Sequence, residues 1–239
     1  MSFLEELKNN RDKQIMAISI AFFVLSFPAY FYFAAQGADP SGASNVVATY
    51  EIEGEPQYIE LGSGDEFIAD GETLSIDNLH TDSIDDADEM NIIGVRLTMT
   101  YTEAEDTSGA TCNFPGGSGN AADDTITGTT MYGEYNETAS GSNNANSGSH
   151  SVEVYWISNV SLLDVETVTM SKSDIIAKID AGGLGLGAHM AEISVDAEAG
   201  NTPPPGLCQR SDAGEDVAYI VEIIVFDYDI RPYVDLEEL

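Results

Sequence analysis

Twenty-one consecutive residues, Ile15 to Ala35, carry no charge. As a helix they span about 30 Å, the thickness of a bilayer's hydrocarbon layer. Backbone groups inside lipid must bond one another, which a helix achieves and a loop does not. The run therefore predicts a transmembrane helix over 15–35, with Pro28 as its kink point. Tyr30 and Tyr32 fall near its far end, where amphipathic rings favour the membrane interface. Lys8, Arg11 and Lys13 precede the run, and no Lys or Arg recurs until Arg96. Basic residues stay on the cytoplasmic side, so the N-terminus is expected inside and everything after the run outside. A cleaved secretory signal competes with this reading, since Ala35-Gln36-Gly37 offers small residues for cleavage. The stretch exceeds the roughly 7–15 residues of a signal core, which favours a retained anchor.

The chain then divides into four parts. Residues 1–14 form a cytoplasmic leader, in which Phe3, Leu4 and Leu7 share helical spacing. Residues 15–35 span the membrane. Residues 36–45, rich in Gly, Ala, Ser and Pro, read as a tether. Residues 46–239 form an extracytoplasmic domain, long enough for one large β-sandwich.

Charge narrows the partners. The protein has 42 acidic residues against 8 basic ones. Three of each precede Ile15, so the whole net charge of −34 lies on the far side of the apolar run. Such a surface repels nucleic acid and attracts cations or basic proteins. It also keeps a protein dispersed in salty water.

Beyond residue 45 the pattern is alternation. Ile93, Val95, Leu97, Met99 and Tyr101 line one face of a strand, with Arg96, Thr98, Thr100 and Thr102 on the other. Val46–Ile52, 58–61, 66–69, 73–76 and 125–135 read as further strands, and His189 to Ala197 alternates again. Val152, Val154 and the sole tryptophan, Trp156, are expected in the core. Val217 to Phe226 is almost continuously apolar and reads as a central strand buried on both sides. Residues 139–149, all Ser, Gly, Asn and Ala, read as a mobile excursion at a sandwich edge. One short helix follows Ser171, its cap, and ends near Gly182. The fold class is therefore mainly β: a transmembrane helix, then an antiparallel sandwich of about eight strands with one short helix.

Candidate chemistry is sparse. Asp82, Asp85, Asp86, Asp88 and Glu89 crowd one loop, and carboxylates of this kind are calcium ligands, although the spacing is not that of an EF-hand. Calcium is the one metal the sequence suggests, and no cofactor is implied. Asp227 and Asp229 flank Tyr228. His80, His150 and His189 are scattered, and His189 falls on an apolar strand face as a core residue. Cys112 and Cys208, both in the exterior part, most simply form a disulfide, with free buried thiols as the alternative. Asn136-Glu-Thr and Asn159-Val-Ser match the N-glycosylation acceptor triplet. There is no Gly-x-Ser-x-Gly elbow and no His-Glu-x-x-His. Gly183-Leu-Gly-Leu-Gly187 follows a helix and leads into a strand, the wrong order for a phosphate cradle, and reads as a joint.

With its N-terminal anchor, scarce lysine, abundant Asp and acidic β domain, the layout resembles the anchored surface proteins of salt-adapted archaea. It also resembles type IV pilins, with Lys13-Gln14-Ile15 where a pilin leader is cut. The small residue before that cut and the early helix glutamate are missing. The expected function is a non-catalytic, membrane-anchored cell-surface protein. Its acidic sandwich binds a partner, an envelope component or cations, and the lipid bilayer holds its anchor. A pilin-like filament subunit and a surface hydrolase are the alternatives.

Overall fold

A computed structural model describes residues 45–102, 106–109, 112, 120–142, 147–201 and 208–233. The expected leader, transmembrane helix and all of the tether but Asn45 lie outside these residues. Among the described residues no helix is long and apolar enough to cross a membrane.

The described part is mainly β, built from thirteen strands. They are β1 (Val47–Glu53), β2 (Pro56–Ala69), β3 (Thr73–His80), β4 (Ile92–Thr102), β5 (Asp106–Ser108), β6 (Thr125–Tyr132) and β7 (Tyr135–Ser142). There follow β8 (Ser147–Tyr155), β9 (Thr167–Ser171), β10 (Ala188–Asp196), β11 (Gln209–Ser211), β12 (Gly214–Phe226) and β13 (Asp229–Pro232). One helix, α1 (Lys172–Ile179), sits between β9 and β10.

Two four-stranded sheets, ordered β2-β12-β4-β8 and β3-β10-β6-β7, carry the core. Every pairing in them is antiparallel. Their inner faces meet: a Cβ placed on Gly128 of β6 would strike Met99 and Leu97 of β4. Glycine here lets the two layers approach closely. The arrangement is that of two stacked sheets, consistent with a sandwich. At one rim His150 of β8 bonds the Ala139 carbonyl of β7 at 3.3 Å, which joins the layers. A three-stranded sheet, β13-β1-β9, and a two-stranded one, β11-β5, complete the fold.

The alternation of β4 appears as expected. Val95, Leu97, Met99 and Tyr101 are buried, while Arg96 and the three threonines face outward. With Ile126, Ile193, Val217, Val221 and Ile223 they form an interior almost without solvent contact. Each large aliphatic side chain so buried contributes about 1.5–3 kcal/mol. The lower end of β12 is buried on both faces, Ile223 to Phe226, as its apolar run predicts. Its upper half is not, and Ile220 is 42% exposed.

Three expectations need correction. The stretches 58–61 and 66–69 are one strand, β2, interrupted by a bulge opposite Val221 and Glu222. Gly62 and Gly64 do not end it, because Leu79 and the Tyr219 ring occupy the space their side chains would take. Most of 139–149 is strand, in β7 and β8. Cross-strand hydroxyl pairs replace the missing apolar contacts: Thr127 with Ser140 at 2.8 Å and Thr98 with Ser151 at 2.9 Å. The count of about eight strands is too low, since it omitted β7 and the short strands β5, β9, β11 and β13.

Helix α1 follows its signals at the start. The Ser171 hydroxyl accepts the Asp174 N–H at 3.1 Å, and Ile175 and Ile179 are buried. Its end comes at Asp180, two residues before Gly182.

Candidate functional site

The polar anchor of the candidate site is Asn91, just before β4. Its amide donates to the Ile179 carbonyl at 3.0 Å and to the Phe226 carbonyl at 3.1 Å. Its oxygen accepts the Ala181 N–H at 2.8 Å. One side chain thus ties together the ends of α1, β12 and the turn before β4. These three ends enclose an open cleft of about 540 Å³.

Glu89, Asp180, Asp227 and Tyr228 line that cleft. The Tyr228 hydroxyl donates to Asp180 Oδ2 at 3.4 Å, and its ring stacks on Phe226 at 5.7 Å between centroids. Burial, and then the Asp180 charge, push the Tyr228 phenol up to about 12. It stays protonated and donating at any physiological pH. Three carboxylates and an aromatic ring in one cleft suit an ammonium or guanidinium group, which gains from both charge and ring.

Of the five acids expected to bind calcium, the structure brings three around one depression and not the other two. Asp82 lies on the 3-10 turn Thr81–Ser83, Asp88 and Glu89 on the 3-10 turn Ala87–Glu89, and Asp85 and Asp86 between the two; all five are exposed. Asp82, Asp86 and Asp88 line a shallow depression of about 260 Å³ beside Leu186. Glu89 instead faces the larger cleft. His80 Nδ1 lies 3.1 Å from the Asp82 carboxylate and caps the first turn.

Among the described residues, the group of three carboxylates whose oxygens lie within 4.8 Å of one another is Asp124, Asp212 and Glu215. None of these was expected from the sequence. Asp124 and Glu215 have no solvent exposure. Asp124 accepts the Glu198 N–H at 2.7 Å and Asp212 accepts the Gly214 N–H at 3.1 Å. All three, and Arg210 two residues before Asp212, engage further groups of the protein. The signal that would have found the group is Glu215, a carboxylate in register with the core positions of β12.

Close to this group in the chain, Cys112 and Cys208 form the expected disulfide, with Cα atoms 5.1 Å apart. Asn136 is exposed on β7, and Asn159 is half-buried at the start of the 3-10 turn Val160–Asp164. His189 is a core residue, as expected, with Nε2 2.8 Å from the Gly185 carbonyl oxygen. The Gly183–Gly187 segment is an ordered wrap: Gly185 has φ 93°, and its face lies on Ile92 and Trp156.

No protein-family model matches this chain, and no curated protein matches it.

Proposed function

We propose that this is a membrane-anchored, non-catalytic surface protein whose acidic β domain lies outside the membrane and binds cationic groups of a partner. The observation that carries the binding is the cleft, which Glu89, Asp180, Asp227 and Tyr228 line together. A lysine or arginine side chain, or a polyamine, meets there both a charge partner and an aromatic face. The net charge of −34 draws such partners in from a distance. The exterior placement is supported by the uncharged 15–35 run with its basic flank, and by the Cys112–Cys208 bond, since disulfides persist in oxidising compartments.

Titration calorimetry of the full chain in detergent tests the binding, with spermidine and a tetralysine peptide as probes. The expected result is saturable binding that weakens with salt and is lost in Asp180→Asn/Asp227→Asn. Saturable binding that survives this double variant would move the site elsewhere. Calcium in the same cell separates a metal ligand from a basic one: heat with calcium alone would favour the metal.

A further inference from the structure

We infer that Asn136 is a site of N-linked glycosylation and that Asn159, which carries the same triplet pattern, is not. The inference rests on the exterior placement proposed above. Both triplets are visible in the sequence, but the structure separates them.

Asn136 is the second residue of β7, directly after the two-residue turn at Gly133 and Glu134. β7 is an edge strand, hydrogen-bonded in its sheet to β6 alone. Asn136, Glu137 and Thr138 are all exposed. The Asn136 amide makes one long bond, 3.4 Å to the Glu134 carbonyl two residues away. A transferase must seat the acceptor triplet in its own cleft, which is easy at the end of an edge hairpin and costly inside a packed turn.

Asn159 is placed differently. It is half-buried, its N–H donates to the Lys178 carbonyl at 3.3 Å, and its carbonyl accepts the Leu162 N–H at 3.3 Å. The residues after its triplet, Leu162 and Leu163, are buried in the core. Seating this triplet would pull both leucines from the interior.

A second observation agrees with Asn136. In register it faces Met131, and Met131 faces Met190, so the three side chains share the outer face of one sheet. Met190 is 41% exposed, an apolar side chain on a very acidic protein. A glycan on Asn136 lies beside these two methionines, where the apolar faces of sugar rings have something to cover.

The transfer joins Asn136 Nδ2 to the anomeric carbon of a lipid-linked oligosaccharide. The bond from that carbon to the phosphate oxygen breaks, and the lipid phosphate leaves with the electron pair. One amide proton passes to a base of the transferase.

The test is the mass of the full chain and of its peptides. The protein is made in cells that glycosylate a secreted reporter bearing the same Asn-Glu-Thr triplet. A glycan mass on the peptide containing Asn136 is expected. It should be lost in Asn136→Gln and Thr138→Ala, retained in Thr138→Ser, and unchanged in Asn159→Gln. An unmodified Asn136, with the domain digested by protease on intact cells, overturns the inference and leaves the exterior placement standing. Modification of Asn159 alone overturns it too. A domain protected from protease until the cells are opened overturns the placement, and the inference with it.

Discussion

Arg96 and Glu222 face each other across β4 and β12, and the guanidinium places two N–H groups on one carboxylate oxygen, at 3.0 and 2.7 Å. The same guanidinium lies 3.4 Å from the centre of the Tyr58 ring. One cation therefore holds three strands of the sheet, because Tyr58 belongs to β2. The pair is only partly exposed, 24% and 19% for the side chains, so solvent screens it weakly.

Arg96→Ala removes the fork and the stacking and leaves Glu222 opposite Glu60 without a cation. The expected loss is about 2–3 kcal/mol of stability. Arg96→Lys keeps the charge but loses the planar fork, at about 1 kcal/mol. Urea midpoints of the two variants at low and high salt measure both.

Gly185 and Gly187 both have positive φ, 93° and 103°, yet they differ in surroundings. A Cβ on Gly187 meets nothing, whereas one on Gly185 lies 2.7 Å from Ile92 and Trp156 atoms. Gly187→Ala costs the left-handed backbone alone, about 1–2 kcal/mol. Gly185→Ala adds overpacking of about 1–3 kcal/mol and disturbs the Trp156 indole, which donates to the Ile92 carbonyl at 2.6 Å. Thermal melts should rank Gly185→Ala well below Gly187→Ala, with altered tryptophan fluorescence in the former only.

His189 is fully buried, and its Nδ1 has no hydrogen-bond partner among the described residues. Burial holds its imidazolium form below the ordinary value of 6.5, against the pull of the Gly185 carbonyl. The unfolded chain then binds a proton before the folded one does. The contribution is fully present above about pH 6.5 and is lost as the pH falls from there through the folded value. His189→Phe keeps the stacking on Tyr132, now 4.6 Å between centroids, and removes the titration. The stability difference between pH 7.5 and pH 5 should be smaller in this variant than in the parent. An equal difference in both would show that His189 does not titrate on unfolding.

The Cys112–Cys208 bond closes a loop across 96 positions. Loop-closure entropy assigns it about 4–5 kcal/mol. Cys112→Ala/Cys208→Ala should lower the urea midpoint by a large fraction of the parent value. Reductant should shift the parent's melt toward that of the double variant and leave the variant's melt unmoved.

Much of this fold is legible where packing and periodicity agree. β4 alternates because one face meets Ile126 and Ile193 while the other meets water. β7 and the start of β8 were hidden because their Gly, Ser and Asn have little strand preference by themselves; pairing decides them, with the adjacent β6 for β7 and with the distant β4 for β8. β2 was split in the reading because Gly62 and Gly64 look like turn residues, whereas their bare backbones make room for Leu79 and Tyr219. The disulfide was legible because two cysteines leave one pairing. The cleft was not: Glu89, Asp180 and Asp227 are far apart in sequence, and Asn91 draws their elements together. The Asp124, Asp212 and Glu215 group was hidden for the same reason, among so many other acids.

The most direct test of the account is the side of the membrane on which the cleft stands. Intact cells expressing the full chain are treated with protease, and the washed membranes are then analysed by mass spectrometry without reductant. The account predicts that residues 46–239 are cleaved or released while 1–35 stays with the membrane fraction, and that Cys112 and Cys208 are recovered linked. A chain that leaves the cells with 1–35 already removed, or a domain untouched until the cells are lysed, with both thiols free, would contradict it.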